Sequence, residues 1–489
     1  MSTDILSIPK AKNYVNGQTQ ELDGRSMGVV SPLDGKIISD VPLSDAKALD
    51  DAVKAAQAAF PAWSNMTLKE RVQIFFRFRT LLENNMDELA KIVSLENGKI
   101  YSEAKAEVMK GMELTEFACS LPQLINDEIQ EVSKGVECRT THVPLGVVAC
   151  ISPFNFPHMV PLWTIPNAIA LGNCVILKPS ELVPLSAQRI AELLKEAGLP
   201  DGVLNIVHGD KEIVEAICDH PAIEAVSFVG STRVAKIVYK RASSNLKRCV
   251  ALGGAKNHLI VLPDADIEMA ATNIAASMSG CAGQRCMAAS AMVAVGKVDH
   301  IVNRLCEVAK SIVPGDSLGS VITMEAKERI EKYIDEAEAA GAKVLVDGRN
   351  TVVPGKEGGF YVGPTVIDYV KPDMKIAKEE VFGPVLAIMR TEDVDEAIKI
   401  ENSSNYGNAS SVFTQDGGVA NYIMDRVSAG MVGVNIGVPV PREPFSFGGW
   451  NDSRFGVNDI TGKNSIIFWT KLKKRTSKWN NDAWTNWMS

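Results

Sequence analysis

Long apolar runs are missing from this sequence of 489 residues. No uninterrupted stretch approaches the roughly 20 apolar residues that a membrane-spanning helix requires, which predicts a protein without a membrane segment. The first residues, Met1–Ile5, also lack the basic and apolar segments of a secretory signal. We therefore expect a cytoplasmic location.

An excess of basic residues is missing as well. The chain has 51 Lys and Arg against 59 Asp and Glu, which gives a formal net charge of −8. A nucleic-acid-binding surface requires an excess of positive charge. We therefore expect no nucleic-acid partner, and a soluble protein with a mildly acidic surface.

Paired cysteine motifs are the third absence. The nine cysteines show no CxxC spacing, and such an odd, scattered set is typical of reduced thiols rather than of a disulfide framework or a zinc site. The six histidines are dispersed too, and none lies within helical reach of another. We predict no metal site.

The chain is longer than one hydrophobic core accommodates, which predicts two or three domains. Its N-terminal part begins with hairpin signals and continues with helical patterns. The predicted turns are Asn16-Gly17 and Asp34-Gly35, and the predicted helices run from the capping pair Ser44-Asp45 to Phe60, ending before Pro61, from about 68 to 86, and from about 102 to 120.

Two successive α/β patterns follow. From about Val143, buried strands alternate with amphipathic helices, which predicts a doubly wound parallel sheet, and a second α/β pattern after Ile260-Val261 predicts a separate domain. The first pattern has strands at 147–151, 174–177, 204–207 and 225–229 and helices near 185–197, 211–218 and 232–243. The second has strands near 291–295, 343–346, 385–389 and 410–413 and helices near 266–279, 297–312, 324–340 and 393–401.

The tail from Asn464 to Ser489 has little periodicity but contains four tryptophans, Trp469, Trp479, Trp484 and Trp487. Tryptophan side chains are costly to leave exposed. A subunit contact is therefore favoured over disorder.

Cys286 stands beside Arg285 in the segment Gly283-Gln284-Arg285-Cys286-Met287. An Arg guanidinium is the natural planar partner of a carboxylate. If Cys286 attacks a carbonyl carbon, its neighbour indicates a substrate that carries a carboxylate a few bonds away. The alternative is an unreactive cysteine that serves as a small buried hydrophobe.

Asn155 lies between aromatic and proline residues in Pro153-Phe154-Asn155-Phe156-Pro157. This rigid setting suits an amide donor aimed at an oxyanion, an interaction that contributes roughly 2.7–4 kcal/mol in acyl-transfer enzymes. The alternative is a loop asparagine whose hydrogen bonds are satisfied locally.

A Gly-x-Gly-x-x-Gly fingerprint is absent, but two strand ends carry polar residues. Gly230-Ser231-Thr232 opens a helix whose N-terminus either holds a pyrophosphate or is an ordinary cap. Lys178-Pro179-Ser180-Glu181 either reaches ribose hydroxyls or forms a surface turn. In the first case Glu181 favours NAD over NADP, because its carboxylate repels a 2′-phosphate.

Together these motifs resemble the aldehyde dehydrogenase superfamily in order and spacing, and the match covers nearly the whole chain. The motifs are Pro153-Phe154-Asn155, Lys178-Pro179-Ser180-Glu181, Phe228-Val229-Gly230-Ser231, Leu252-Gly253-Gly254, Gly283-Gln284-Arg285-Cys286 and Glu380-Val381-Phe382-Gly383-Pro384.

The resemblance implies an α/β fold of three parts. These are a Rossmann-type NAD-binding domain (1–122 and 143–255), an α/β catalytic domain (256–445) and a small β oligomerisation extension (123–142 and 446–489). It also implies a homo-oligomer, either a dimer or a tetramer.

The resemblance further implies that Cys286 is the nucleophile and that Asn155, with the backbone N–H of Cys286, forms the oxyanion hole. NAD would then be held by side-chain, backbone and packing contacts from Ser152, Phe154, Lys178, Glu181, Leu182, Ser231, Gly253, Glu380 and Phe382.

One departure from the superfamily pattern bears on the reaction. Where hydrolytic members have Glu-Leu-Gly-Gly, this chain has Ala251-Leu252-Gly253-Gly254. The missing carboxylate is the general base that activates water, and losing such assistance typically costs roughly 10²–10⁴-fold in rate. A thiol acceptor needs less help because it is already a better nucleophile near neutral pH.

This departure, with Gly254–His258, Gln284–Ala288 and Val438–Pro441 ahead of Phe445–Phe447, resembles the CoA-acylating methylmalonate-semialdehyde dehydrogenases. Members of that group convert methylmalonate or malonate semialdehyde to propionyl-CoA or acetyl-CoA with loss of the carboxyl group, using NAD as cofactor and CoA as co-substrate. Relatives commonly have an Arg at the position of Lys110. Arg285 and Lys110 are therefore predicted to bind the substrate carboxylate.

Three other functions stay open. The first is a hydrolytic aldehyde dehydrogenase whose base comes from elsewhere and whose product is a free acid. The second is a cysteine hydrolase or acyltransferase, for which no His is placed as partner base. The third is a silent NAD-binding relative, which the intact Cys286 and Asn155 disfavour.

Overall fold

The computed structural model describes residues 10–21 and 24–479. Met1–Ile5, Trp484 and Trp487 lie outside these described residues. Within the described ranges, every helix is too short or too polar to cross a membrane.

Two hairpins and four helices open the described chain. The predicted turns at Asn16-Gly17 and Asp34-Gly35 are confirmed, since each joins two antiparallel strands. The elements are β1 (Asn13–Val15), β2 (Gln18–Gln20), β3 (Ser26–Val30), β4 (Ile37–Pro42), α1 (Ala46–Asn65), α2 (Leu68–Asn84), α3 (Met86–Asn97), α4 (Tyr101–Leu124), β5 (Ile129–Ser133) and β6 (Val136–Pro144).

The end predicted for the first helix is wrong. Helix α1 continues through Pro61 to Asn65. Its last turn carries Trp63, which is buried and donates a 3.0 Å hydrogen bond from Nε1 to the carbonyl oxygen of Ile169. This tertiary packing outweighs the local preference of proline for a helix end.

The other two early helices also differ from the prediction. The segment predicted as one helix over 68–86 ends at Asn84, and a separate helix begins at Met86. Helix α4 is longer than predicted and ends at Leu124. Its length matters because this helix passes under the candidate active site.

A doubly wound sheet forms the first half of the molecule, as predicted. Its elements are β7 (Val147–Ile151), α5 (Met159–Ala170), β8 (Cys174–Lys178), α6 (Leu185–Glu196), β9 (Leu204–Ile206), α7 (Lys211–Asp219), β10 (Ile223–Val229), α8 (Thr232–Ser244) and β11 (Arg248–Leu252). The parallel strands have the order β9-β8-β7-β10-β11. The order reverses between β7 and β10, which is where open α/β sheets bind ligands.

Helix α5 is not foreseen by the sequence pattern. Pro161 and Pro166 interrupt its segment, and all its residues except Met159 are buried, so no amphipathic period is visible. A helix that is apolar on every side is characteristic of a core position.

The second half contains a seven-stranded sheet in the order β14-β15-β16-β13-β12-β18-β19. Its neighbours are parallel except at β14, which confirms the second α/β pattern. The elements are β12 (Asn257–Val261), α9 (Ile267–Ser279), β13 (Ala289–Val295), α10 (Asp299–Ser311), α11 (Met324–Ala339), β14 (Lys343–Val346), β15 (Thr365–Asp368), α12 (Lys375–Lys378), β16 (Val385–Thr391), α13 (Val394–Asn402), β17 (Tyr406–Gly407), β18 (Ala409–Phe413), α14 (Gly417–Met424) and β19 (Met431–Val434).

Both faces of this second sheet are covered. Ile260 and Val293 belong to one core cluster, while their chain neighbours Leu259 and Met292 belong to another. Successive side chains of a strand point to opposite faces, so the two clusters are the two sides of one buried sheet.

The C-terminal segment returns to the first half. It consists of β20 (Trp450–Asn451), β21 (Arg454–Phe455), α15 (Asn464–Trp469) and β22 (Thr470–Lys478). Strand β21 pairs with β11, and β22 pairs with β6 over nine residues in a three-stranded sheet with β5. Trp469 is fully buried, whereas Trp479 is exposed. The limits given above for the three domains stay a prediction.

Candidate active site

Cys286 lies in the loop between α9 and β13, at the N-terminal edge of the second sheet. Its carbonyl oxygen accepts hydrogen bonds from Asn257 Nδ2 at 2.8 Å and Asn408 Nδ2 at 2.9 Å. The same Asn257 amide bonds to the carbonyl oxygen of Ala288 at 2.9 Å. The peptide plane that carries the N–H of Met287 is therefore fixed by two buried side chains.

A tight left-handed turn precedes this cysteine. Cys281, Ala282 and Gly283 all have positive φ, at 53°, 52° and 69°. The N–H of Cys281 donates a 2.7 Å hydrogen bond to Glu103 Oε1. A side chain at Gly283 would collide with the Gly383 carbonyl oxygen, since a Cβ would lie 2.0 Å from it. The turn thus brings the cysteine loop against the segment after Glu380.

The Cys286 thiol is partly buried, and burial raises its pKa to about 12. The negative charge of Glu380 acts in the same direction, while backbone N–H groups of Cys286 and Met287 and the charge of Arg285 oppose it. The thiol is therefore protonated at neutral pH, and neutralising or moving the Glu380 carboxylate would remove one of the two causes that raise its pKa.

Glu380 is the carboxyl group coupled to this thiol. Burial raises its pKa to about 7, against a hydrogen bond from the N–H of Ala255 and the charge of Lys256. Burial in turn lowers the pKa of Lys256 to about 8. Gly254 has no room for a side chain, since a Cβ would lie 2.3 Å from Glu380 Oε2.

Asn155 lies in the loop between β7 and α5 and contacts the cysteine loop. It is buried, and its Nδ2 donates a 2.9 Å hydrogen bond to the carbonyl oxygen of Gln284. The Gln284 side chain is held in turn, because its Oε1 accepts a 3.0 Å bond from the N–H of Ile322. The Asn155 amide donor therefore contacts the cysteine loop two residues before Cys286, and both side chains of this contact are held in place.

One face of helix α4 supports three loops of the site. Glu103 bonds to the cysteine loop, Glu107 accepts the N–H groups at the start of α5, and Lys110 pairs with Glu443 in the loop before β20. The spacing i, i+4 and i+7 puts these three side chains on one side of a helix. The last loop lies near the thiol, because Val438 and Phe447 pack with Cys286 in a small apolar cluster.

The two predicted carboxylate-binding residues are both engaged within the protein. Arg285 donates to the carbonyl oxygen of Ala276 at 2.6 Å, at the C-terminal end of α9, and its Nε is buried without a partner among the described residues. Lys110 Nζ lies 2.7 Å from Glu443 Oε2 and 3.0 Å from Glu113 Oε2. Arg285 thus keeps one free donor, whereas the charge of Lys110 is balanced.

The residues predicted to hold a dinucleotide gather at the C-terminal edge of the first sheet. Ser152 follows β7, Lys178 ends β8 with Glu181 and Leu182 just beyond, Ser231 follows β10, and Gly253 follows β11. The Lys178 and Glu181 side chains form an ion pair of 2.6 Å, and the lysine is buried.

Several features of this edge fit a dinucleotide. Ser231 makes no side-chain cap bond to α8, which leaves first-turn N–H groups for a pyrophosphate. Ser152 Oγ is buried without a hydrogen-bond partner among the described residues. A Cβ at Gly253 would lie 2.8 Å from the Asp452 carbonyl oxygen, so this position has no room for a side chain. The Phe154 and Phe382 rings contact each other edge to face, with their centres 5.8 Å apart.

Position 251 carries no acid. Ala251 is fully buried in β11, paired with Phe228 and Phe455. The carboxyl group whose charge raises the pKa of Cys286 is that of Glu380, which belongs to a different loop.

Comparison with known proteins decides the family. The model of the aldehyde dehydrogenase family matches residues 19–474 of this chain. The chain belongs to the aldehyde dehydrogenase family. It is 44% identical over 488 residues to malonate-semialdehyde dehydrogenase 2 of Geobacillus kaustophilus, covering 98% of this chain and 100% of the relative. It is 43% identical to malonate-semialdehyde dehydrogenase of Pseudomonas aeruginosa, with 96% of each chain covered.

Solved structures of family members agree with this fold. The crystal structure of a methylmalonate-semialdehyde dehydrogenase from Oceanimonas doudoroffii matches with a TM-score of 0.95 at 44% identity, over 96% of this chain and 98% of that one. A Sinorhizobium meliloti protein assigned the same activity and solved with NAD matches with a TM-score of 0.95 at 41% identity, over 97% and 98%. The predicted aldehyde dehydrogenase fold is confirmed.

Sequence reasoning missed several residues of this aldehyde dehydrogenase site. Asn257 and Asn408, which hold the Cys286 carbonyl, look like ordinary strand or loop residues. Lys99, just before α4, and Glu107, on the buried side of α4, are described below. Glu107 is a charged residue among the buried positions of a helix, and that mismatch with the apolar pattern is the signal that could have found it.

Proposed function

We propose that this protein is an NAD-dependent, CoA-acylating dehydrogenase of malonate or methylmalonate semialdehyde. The names of the relatives at 43–44% identity over nearly the full chain support the substrate class. Ala251 carries the acylating part of the proposal, because no carboxylate stands where hydrolytic members have their general base.

In this mechanism the Cys286 thiolate adds to the aldehyde carbon. The oxyanion that forms accepts hydrogen bonds from Asn155 Nδ2 and from the backbone N–H of Cys286. Loss of the thiol proton is favoured whenever Glu380 is neutral, since the Glu380 charge contributes to the raised pKa of Cys286.

Bound NAD would supply the hydride acceptor for this adduct, and Cys286 would then carry the acyl group as a thioester. The chain positions the cofactor with the residues at the C-terminal edge of the first sheet. Ser231 and the start of α8 suit the pyrophosphate, Lys178 and Glu181 suit a ribose, and Glu380 with Phe382 suits the nicotinamide half. Glu181 also favours NAD over NADP by repelling a 2′-phosphate.

The substrate carboxylate is bound by Arg285, whose Nε lacks a partner among the described residues, with Lys110 as a second cation. This carboxylate is β to the thioester carbonyl. It leaves as CO₂, the bonding electrons form the thioester enolate, and the enolate then takes up a proton. The thiolate of CoA attacks the remaining acyl group, which yields acetyl-CoA or propionyl-CoA and releases Cys286.

The alternative is a hydrolytic dehydrogenase that produces a free acid. It requires a base other than residue 251, and Glu380 is the carboxyl group whose charge acts on Cys286. With a pKa raised by burial to about 7, this group is partly ionised at neutral pH. The two functions differ in their need for CoA.

The decisive experiment is a product assay with malonate semialdehyde and NAD, with and without CoA. We expect multiple turnovers and acetyl-CoA with CoA, and about one NADH per site without it. Steady NADH formation without CoA, with acetate or malonate as the product identified by mass spectrometry, would support the hydrolytic alternative.

A homo-oligomer, dimer or tetramer, is also proposed. The three-stranded sheet of β5, β6 and β22 exposes large apolar side chains: Ile129, Val132 and Leu472 are each more than half exposed, as is Trp479 just beyond the sheet. Apolar surface of this kind typically marks a protein contact. Light scattering of the purified protein tests this proposal.

A further inference from the structure

Hydrogen bonds with three side chains hold the loop that carries Asn155. Asn97 Nδ2 donates a 2.8 Å hydrogen bond to the carbonyl oxygen of Phe154. Lys99 Nζ donates to the carbonyl oxygen of Asn155 itself. Glu107 Oε1 accepts the N–H of His158 at 2.8 Å and of Met159 at 3.1 Å. The loop is thus fixed at its start, at its middle and where it enters α5.

Two of these side chains form a buried ion pair. Lys99 Nζ lies 2.5 Å from Glu107 Oε2, and the two side chains are 2% and 0% exposed. The ammonium also lies 3.9 Å from the centre of the Phe156 ring. A buried ion pair is a poor source of stability, because burial removes the hydration of both charges. Its contacts with one loop indicate a positioning task instead.

The two carbonyl contacts fix the direction of the Asn155 side chain. The carbonyl of Phe154 belongs to the peptide plane before the Asn155 Cα, and the carbonyl of Asn155 belongs to the plane after it. With both planes held, by Asn97 and by Lys99, the dihedral angles of Asn155 are set. The Cα–Cβ bond then has one direction, and Nδ2 meets the Gln284 carbonyl oxygen at 2.9 Å.

We propose that Lys99 is a positioning residue that aims the Asn155 amide at the reacting oxygen, and that Glu107 holds the Lys99 ammonium in place. This inference rests on the proposed function, in which Asn155 stabilises the oxyanion. Both thioester formation and transfer to CoA pass through an oxyanion, so both steps depend on Lys99. Substrate and cofactor binding should change little, because the buried Lys99 ammonium contacts Glu107, Asn155 and Phe156, none of which is assigned to the dinucleotide or to the substrate carboxylate.

A double-mutant cycle separates positioning from a general structural role. The full-length variants Lys99→Met, Asn155→Ala and the double variant are compared by the single-turnover rate constant of NADH formation with enzyme in excess over malonate semialdehyde. At saturating enzyme concentration that rate constant does not depend on the fraction of folded protein. Lys105→Met, near the start of α4, serves as the matched control, because the Lys105 side chain is 42% exposed and pairs with Asp87.

We expect Asn155→Ala to slow this step about 10²- to 10³-fold and Lys99→Met to slow it on the order of 10²-fold, with the dissociation constant of NAD changed less than about threefold. The double variant should be within about threefold of Asn155→Ala alone, because Lys99 acts through that residue. Lys105→Met should leave the rate unchanged.

Two results would overturn the inference. One is a double variant slowed by the product of the two single effects, and the other is a Lys99→Met enzyme with the wild-type rate constant. A wild-type rate for Asn155→Ala would instead refute the proposed role of Asn155. If Lys99→Met does not fold, the same cycle is run with Lys99→Met/Glu107→Gln, which removes both charges and keeps an oxygen for the His158 and Met159 N–H groups.

Discussion

Asn155 Nδ2 donates a 2.9 Å hydrogen bond to the backbone carbonyl oxygen of Gln284, two residues before Cys286. An amide nitrogen carries two hydrogens, and this bond uses one of them. The second stays available for a substrate oxygen. The bond also fixes which end of the amide faces the cysteine loop, because a carbonyl oxygen accepts from nitrogen and not from oxygen.

Substitution of the two neighbouring cysteines should separate the nucleophile from a structural thiol. Cys286→Ala should abolish NADH formation while NAD still binds, because no other thiol takes its place beside Asn155. Cys281→Ala should keep most of the activity, since Cys281 is buried in the turn and burial raises its pKa to about 11. Initial rates with and without CoA, together with fluorescence titration of NAD, test both. Activity in the Cys286 variant would reassign the nucleophile to Cys281.

Removal of the Glu380 charge should make the Cys286 thiol more reactive. Glu380 raises the pKa of that thiol, so Glu380→Gln should lower it and increase the rate of alkylation by iodoacetamide several-fold at pH 8.5. Burial also raises the thiol pKa and is unchanged, so only part of the shift is lost. At pH 5.5 wild-type Glu380 is itself mostly protonated, because its pKa is about 7. The difference should therefore disappear there.

The pH dependence of Cys286 alkylation in the wild-type protein provides a second test of the raised thiol pKa. Above pH 8, where Glu380 is ionised, a thiol with a pKa of about 12 should react about tenfold faster for each added pH unit, without a plateau up to pH 10. Glu379→Gln is the matched control, because the neighbouring Glu379 bonds to the Tyr333 hydroxyl. A plateau below pH 9, or equal rates for Glu380→Gln and wild type, would contradict the assigned coupling.

The ion pair between Lys110 and Glu443 should limit the preference for carboxylated aldehydes. If Lys110 attracts the substrate carboxylate, Glu443→Gln should raise kcat/KM for malonate semialdehyde relative to propanal by up to about fivefold, or about 1 kcal/mol. Glu113→Gln is the control and should have a smaller effect, because the Glu113 side chain is 38% exposed against 14% for Glu443. Equal changes for both aldehydes would remove Lys110 from the specificity argument.

Restoring an acid at position 251 should create water-dependent turnover. Ala251→Glu supplies a carboxylate at the end of β11 and should allow NADH formation beyond one equivalent per site without CoA. Ala251→Gln, which has the same size without the charge, should still stop near one equivalent. Because the site is fully buried, melting curves of both variants must show a folded protein. A folded Glu variant that still needs CoA would contradict this explanation.

Asn173 should be among the residues most important for stability. Its Oδ1 accepts the N–H groups of Leu145 and Gly146, and its Nδ2 donates to the carbonyl oxygens of Ala168 and Trp469. Asn173→Ala removes the side-chain partner of the Leu145 and Gly146 N–H groups and of the Trp469 carbonyl oxygen, while the Ala168 carbonyl oxygen keeps the backbone N–H of residue 173. The loss should cost roughly 3–5 kcal/mol, measured by urea denaturation. Asn245→Ala, at an exposed site, should cost less than about 1 kcal/mol. Similar losses for both would contradict this ranking.

Local patterns in the sequence were sufficient for most of the fold. Strands buried on both faces, such as β7 and β8, are visible as short apolar runs, and the Asn16-Gly17 turn follows from backbone preferences of two residues. Helix α5 was missed because it is apolar on every side and contains two prolines, Pro161 and Pro166. Helix α1 passes Pro61 because Trp63 packs against a distant segment, which no local window contains.

The candidate site also contains residues that the sequence indicates and contacts that it does not. Asn155 and Cys286 stand in unusual local contexts, so the sequence alone pointed to them. The supporting contacts join residues far apart in the chain: Lys99 meets Asn155 and Glu107 meets His158 across more than 50 positions. A single sequence carries no record of such pairings. The balance of the Lys110 charge by Glu443 likewise became visible only in the folded chain.

Glu103, Glu107 and Lys110 anchor three loops to one side of α4: the loop of Cys286, the loop of Asn155 and the loop before β20. We therefore expect a small displacement of α4 to carry all three loops with it. The distances between groups on these loops would then change less than if each loop were anchored to a different element.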